Sequence, residues 1–205
     1  EIHSIYTNTD YEPSAIQRDL LVSEILMERG IHFHTFKDQL VFHQNEVVKA
    51  DGSPYTVFTP YSKRWKEMLA EYSIPEYPSE KHLYRLKHLT SDYFPDLEEI
   101  GYQHQDIAFP EKSVDAHLIE NYGKNRDFPA IKGTSKQSMH LRFGTISIRK
   151  LTLQAMKYSE VFLNELIWRN FYMDILWHFP HAAEKAFKPS YDFIPWRNDE
   201  KEFER

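Results

Sequence analysis

The chain has 205 residues, of which 41% are hydrophobic and 15% aromatic, with no cysteine and a formal net charge of -6. A chain of this size buries the core of one large domain or two small ones, and no apolar run reaches the roughly 20 residues that a membrane-spanning helix needs. The lack of cysteine excludes a disulfide framework and a thiolate metal site and fits a reducing compartment, so the cytoplasm is the expected location.

The opening IHSIYTN alternates like a strand. Asp10 and Ser14 are candidate caps for a helix through AIQRDLLVSEILMERG that ends at Gly30, and IHFHTF reads as a second strand. Strand, helix and strand in that order predict a βαβ unit and a parallel sheet. Residues 37–60 are short apolar runs broken by Asp51-Gly52 and Pro54, and SKRWKEMLAEY predicts a helix with Ser62 as its cap. The α/β part is expected to occupy residues 1–72. From 73 to 110 the chain carries four prolines and little periodicity, which predicts an extended connector.

Beyond it, SVDAHLIENYGKN, TSKQSMHLRFG, SIRKLTLQAMK and SEVFLNELIWRNFYMDILWHF have helical spacing, so residues 111–205 read as an all-α region. The fold class is thus α/β followed by all-α. The first residue is Glu, and the final NDEKEFER breaks off inside a charged helical pattern. The sequence is therefore expected to be an internal piece of a longer protein.

The positive charge is concentrated. Between Lys124 and Lys157 there are eight lysines and arginines against the single acid Asp127, beside a Gly133-Thr134-Ser135 turn. Gly133 permits a tight turn, and Thr134 or Ser135 would cap the next helix, leaving backbone N–H groups flanked by Lys132 and Lys136. Such a corner suits a phosphate or pyrophosphate, although an ordinary capped helix with solvated lysines has the same pattern.

The helix from Ser159 to Phe179 aligns Glu165, Trp168, Arg169 and Tyr172 on one face and is apolar around most of its circumference. That predicts Glu165 and Arg169 inside the protein or lining a cavity. The alternative is an i,i+4 ion pair, worth about 0.3 to 0.5 kcal/mol if exposed. Aromatics beside a basic stripe of Arg126, Lys132, Arg142, Arg149 and Lys150 also match what single-stranded or flipped-out nucleic acid requires: stacking planes and cations. His32 and His34 share a strand face, but no third ligand stands at a recognisable spacing, so no metal is assigned.

The runs YEPSAIQRD, DGSPYTVFTPYSKRWKEML, NRDFPAIKGTSKQSMHLRFGTISIRKL and FLNELIWRNFYMDILWHFP resemble the DNA photolyase/cryptochrome family, most of all its cyclobutane pyrimidine dimer photolyases. The likeness extends from about Asn8 to Arg197. It implies the C-terminal part of a Rossmann-like antenna domain, a long connector and the first half of a helical FAD-binding domain. It further implies that Tyr122 and the turn of Thr134, Ser135, Lys136, Gln137 and Ser138 hold FAD, with the turn gripping its phosphates. Phe162, Glu165 and Arg169 would complete the flavin pocket. Glu165 and Trp168 would receive a flipped pyrimidine dimer, the acid on a base edge and the indole packed on the base; Arg126, Arg169 and Tyr172 would also contact DNA.

The implied reaction is light-driven splitting of dimers in ultraviolet-damaged DNA by electron transfer from photoexcited reduced FAD, the enzyme acting as a monomer; which antenna chromophore accompanies the FAD stays open. The alternatives are a cryptochrome-type photoreceptor or a piece inactive by itself. The sequence departs from the family pattern at Phe162, where Trp is usual, at Lys136 for Arg, at Gln137 for an apolar residue and at Asn170 for Glu.

Overall fold

The computed structural model describes residues 2–87 and 93–204. Residues 88–92 of the expected connector lie outside them. Two short strands, β1 (Ser4–Asn8) and β2 (His32–Phe36), pair in parallel, with Ser4 opposite His32 and Asn8 opposite Phe36. The crossover is helix α1 (Pro13–Glu28), so the βαβ unit read from the sequence is present.

Gly30 ends α1 at φ 68°, with Gly30 N–H donating to Met27 and Ile31 N–H to Leu26. This is the left-handed exit that glycine makes easy. The start differs from expectation: the N-cap is Glu12, which makes no side-chain cap bond. Pro13 occupies the first turn, where its missing N–H costs nothing. Asp10 instead accepts from the Tyr11 and Glu12 amides at 2.7 and 3.3 Å.

Helix α2 (Phe58–Glu71) begins four residues before the predicted cap Ser62, whose hydroxyl donates back to the Thr59 carbonyl. Pro60 lies in its first turn, where a proline is tolerated. The stretch before it holds an isolated antiparallel bridge, Val48 to Pro54, closed by Gly52 at φ 80°. After α2 the described connector is mostly exposed: Ile74 packs against the core, and a 3₁₀ segment, Ser79–Arg85, buries none of its residues.

The helical region follows the predicted order. Helix α3 (Ala116–Asn125) is capped by Asp115, α5 (Ile148–Tyr158) by Ser147 and α6 (Glu160–His178) by Ser159, each side-chain oxygen accepting from a first-turn amide. Helix α4 (Ser138–Arg142) is only five residues long, so neither Thr134 nor Ser135 caps it and its N-cap is Gln137. A final turn, α7 (Glu200–Phe203), is capped by Asp199.

One core joins both halves. Val41, Phe42 and Val47, then Tyr61, Trp65 and Leu69 of α2, belong to the same buried cluster as Ile119, Leu151, Phe162, Ile167 and Phe171. Helix α2 precedes the connector, yet it packs against α6 beyond it. Buried polar bonds tie the same parts. Asn170 accepts from Trp65 Nε1 at 3.2 Å and donates to Tyr61 Oη at 2.9 Å and to the Phe42 carbonyl at 3.3 Å. Tyr61 Oη in turn donates to Asp174 at 2.5 Å.

Candidate functional site

Helix α6 supplies five of the twelve predicted site residues, and its neighbours decide what each can do. Glu165 and Arg169 lie one turn apart but are not paired with each other. Glu165 receives Nη1 of Arg126 in an ion pair, and Arg169 donates to the carbonyls of Gln39 at 2.5 Å and Leu141 at 3.4 Å. The i,i+4 pair is thus displaced by partners from other elements. Burial lowers the Arg169 pKa below its ordinary value, as a desolvated cation requires. Glu165 is less enclosed than expected, its side chain keeping 36% exposure. It stands at the surface end of the site, within reach of a ligand.

Arg126, just past α3, also lies over the Tyr122 ring at 5.8 Å and approaches Asp127 at 3.6 Å. Tyr122 meets Phe162 edge-on, with centroids 5.0 Å apart and planes at 82°. Burial raises the Tyr122 phenol pKa, with the Glu165 carboxylate adding to it. Phe162, where the family pattern has Trp, is buried at the base of this group. Tyr122, Arg126, Phe162 and Glu165 therefore form one cluster at the α3–α6 contact.

The Gly133–Ser138 turn lies against the end of α3. A Cβ on Gly133 would stand 2.6 Å from the Asn125 carbonyl oxygen, so only glycine fits this approach. Lys136 has φ 54° and Gln137 φ -87°, a left-handed residue followed by a right-handed one. Among the described residues the backbone N–H groups of Thr134 to Gln137 have no intrachain acceptor. Successive amides in such a turn form a concave anion cradle, and exposed Lys132 and Lys136 add positive charge to it. The donors are the turn's own amides rather than the end of a long helix. These features suit a ligand that carries phosphate.

Gln137 is placed differently from the other turn residues. Its side chain is buried, Nε2 donating to the Glu111 and Ser135 carbonyls at 2.8 and 3.1 Å, while its Oε1 is buried without a partner among the described residues. It can serve a ligand through its backbone. His140, which the sequence reading passed over, bridges Thr145 Oγ1 and the Pro110 carbonyl at 2.7 and 2.8 Å. Together the two side chains fasten the end of the connector beneath the turn.

Trp168 is the centre of an aromatic stack. Phe58, the first residue of α2, lies over it at a centroid distance of 3.6 Å with planes 4° apart, and Tyr172 stacks at 5.3 Å and 23°. Phe58 is a residue that the sequence reading missed. Its signal was the family-like run that contains it, but a partner 110 positions away on another helix has no local signature.

Of the proposed basic stripe, two members are committed elsewhere. Arg142 reaches Asp10 at 3.6 Å and Glu12 at 3.2 Å, and Arg149 donates to the Lys37 and Asp38 carbonyls at 3.0 and 3.2 Å beneath the Tyr77 ring. They bind the helical region to the βαβ unit through its acids and strand-end carbonyls. The exposed lysines Lys132 and Lys150 remain on the surface. A cleft of about 600 Å³ near Arg149, between the strand ends and residues 74–80, is lined by none of the predicted flavin or lesion residues. Among the described residues no group of three or more His, Asp or Glu is arranged to hold a metal ion.

The family model "DNA photolyase" matches residues 1–80, and "FAD binding domain of DNA photolyase" matches residues 162–205. A deoxyribodipyrimidine photo-lyase of Alkalihalophilus pseudofirmus is 30% identical across 98% of this chain and 45% of its own length. The archaeal photolyase of Sulfolobus tokodaii, whose crystal structure holds two FAD molecules, superposes with a TM-score of 0.67 at 26% identity, covering all of this chain and 45% of that one. A class III photolyase of Agrobacterium tumefaciens shares the fold with a TM-score of 0.74 at 22% identity, over 98% of this chain and 46% of that one. The chain spans a little under half the length of these relatives. With matching family models at both ends and relatives alike along nearly all of it, the chain belongs to the DNA photolyase family.

Proposed function

We propose that this protein is a light-dependent DNA repair enzyme, a deoxyribodipyrimidine photo-lyase that splits cyclobutane pyrimidine dimers with FAD as its cofactor. The observation that carries this reading is the placement of Glu165 and Trp168 on one helix beside the Tyr122–Arg126 cluster, with an amide cradle at the same end of α3. The name and similarity of the Alkalihalophilus relative support it.

In this reading the amides of Thr134, Ser135, Lys136 and Gln137 and the Ser138 hydroxyl grip the FAD phosphates, while Tyr122, Phe162 and Arg169 border the rest of the cofactor. When bound, reduced and excited by light, FAD would supply the electron that opens the cyclobutane ring and would take it back once the ring is split. Glu165 accepts a hydrogen bond from a base edge, its carboxylate held in place by Arg126. The Trp168 indole packs on the flipped pyrimidines, whose poor stacking in the duplex lowers the cost of extrusion. Arg126, Arg169 and Tyr172 border the damaged strand.

Residues 1–72 act as part of the antenna domain, 73–110 as the connector and 111–205 as part of the flavin domain. The protein is read as a monomer, and as cytoplasmic because a chain without cysteine fits a reducing compartment. The test is to incubate the purified chain with excess FAD, pass it through gel filtration, reduce the flavin fraction anaerobically with dithionite, and irradiate it with blue light in the presence of a thymine-dimer oligonucleotide. Co-elution of flavin with restoration of the thymines is expected. A protein fraction that retains flavin but leaves every dimer intact would overturn the repair reading and favour a photoreceptor.

A further inference from the structure

The expected lesion contact, Trp168, does not stand alone. A ring seated 3.6 Å over the indole and parallel to it within 4° covers that face, so Tyr172, also stacked, takes the other. The two flanking rings are not equivalent. Tyr172 is 60% exposed, on the same helix as Trp168. Phe58 is partly buried and packs against the core, meeting Phe171 edge-on at 5.9 Å and 73°.

The helix that carries Phe58 is locked in register. Phe58, Tyr61 and Trp65 share one face of α2, and the last two are hydrogen-bonded to Asp174 and Asn170 of α6. Phe58 is therefore held by the fold, whereas Tyr172 is held mainly by its own stacking.

We infer that Phe58 is a positioning residue for damage recognition: it fixes the plane of the Trp168 indole from behind, so that the opposite face meets the flipped bases once the exposed Tyr172 ring swings off it. Stacking is most favourable between planes that are parallel and already ordered, so a rigid backing ring lowers the cost of the contact. An aliphatic residue at position 58 would fill the space but leave the indole free to tilt. The inference rests on the proposed role of Trp168 in lesion binding.

The test measures affinity in the dark, with FAD present, for an oligonucleotide carrying one thymine dimer and for the same sequence without it. Phe58→Leu and the volume-matched Phe58→Met are expected to lower the ratio of the two affinities about tenfold, a loss of one aromatic stacking contact. Phe58→Tyr is expected to restore the ratio, and thermal unfolding reports any loss of fold separately. If the unsubstituted protein shows no preference for the dimer, the lesion-binding reading fails and this inference with it. If it shows the preference and both aliphatic variants keep it, or if Phe58→Tyr fails to restore it, the inference is overturned while the reading stands.

Discussion

Asp174 is an ionisable group placed where water cannot reach it, on the same helix as the site. Burial pushes its pKa up to about 7 from an ordinary 3.8, against the opposing effect of hydrogen bonds from Tyr61 and Asn170. The folded protein therefore keeps the acid protonated at pH values where the unfolded chain has already lost the proton. Stability attributable to this group is fully present below pH about 4 and falls as pH rises to about 7, by up to about 4 kcal/mol. His43 and His178, both lowered by burial, act in the opposite direction as the solution is acidified. The Asp174→Asn variant isolates the carboxyl: urea unfolding at pH 4.5 and 7.5 should show a loss of a few kcal/mol in the unsubstituted protein that the variant lacks. An equal loss in both would refute this assignment. Glu165 gives the contrasting case. Its pair with Arg126 is partly exposed, so Glu165→Gln should change stability by no more than about 1 kcal/mol. The same change removes a charged acceptor from the proposed base contact, and dimer preference should drop about tenfold in a gel-shift assay. A large stability change with unaltered preference would assign Glu165 to the scaffold.

Among the elements, the Gly133 turn is the one with least tolerance. Gly133 is not strained in its own torsion; its constraint is the Asn125 backbone that a methyl group would strike. Gly133→Ala must push the turn off the end of α3, at a cost of about 2 kcal/mol or more, and should reduce flavin co-elution on gel filtration even where the protein stays folded. Full retention would show that the turn does not grip the cofactor. Elements whose signals are local were legible in the sequence. Asp115, Ser147 and Ser159 stand before apolar-periodic runs and cap α3, α5 and α6. The start of α2 was misread because Pro60 resembles a break, although proline is acceptable in a first turn. Helix α4 was overestimated because TSKQSMHLRFG keeps helical spacing, while the left-handed Lys136 that interrupts it leaves no mark in the spacing. That Glu165, Trp168 and Arg169 lie along one helix was legible from their spacing. Their partners Arg126, Gln39 and Phe58 were not, since each comes from a different element.

Over the whole molecule, the positive charge of residues 124–157 divides between internal ion pairs and exposed lysines. Arg126 pairs with Glu165, Arg142 and Arg149 join the helical region to the βαβ unit, and Lys132, Lys136 and Lys150 stay exposed. Each lost phosphate contact reduces the slope of log affinity against log salt by about 0.9. Lys132→Ala should show that reduction in DNA titrations, whereas Arg142→Ala should leave the slope unchanged; the reverse result would return Arg142 to the DNA-binding surface. The order of a strand–helix–strand unit followed by helices was legible from periodicity. The shared core was not, because the contacts of Tyr61, Trp65 and Phe42 with Asn170 and Asp174 span more than 100 residues. That core has a consequence for how the chain responds to being cut. The described connector is mostly exposed and contributes no buried residue, while α2 before it and α6 after it are interlocked by side chains. A single protease nick between residues 93 and 109 should leave both pieces in one particle on native gel filtration, separating only in denaturant. Two polypeptides made separately and mixed should likewise reassemble: backbone continuity through this segment sets the local concentration of the halves, and their packing sets whether they hold together.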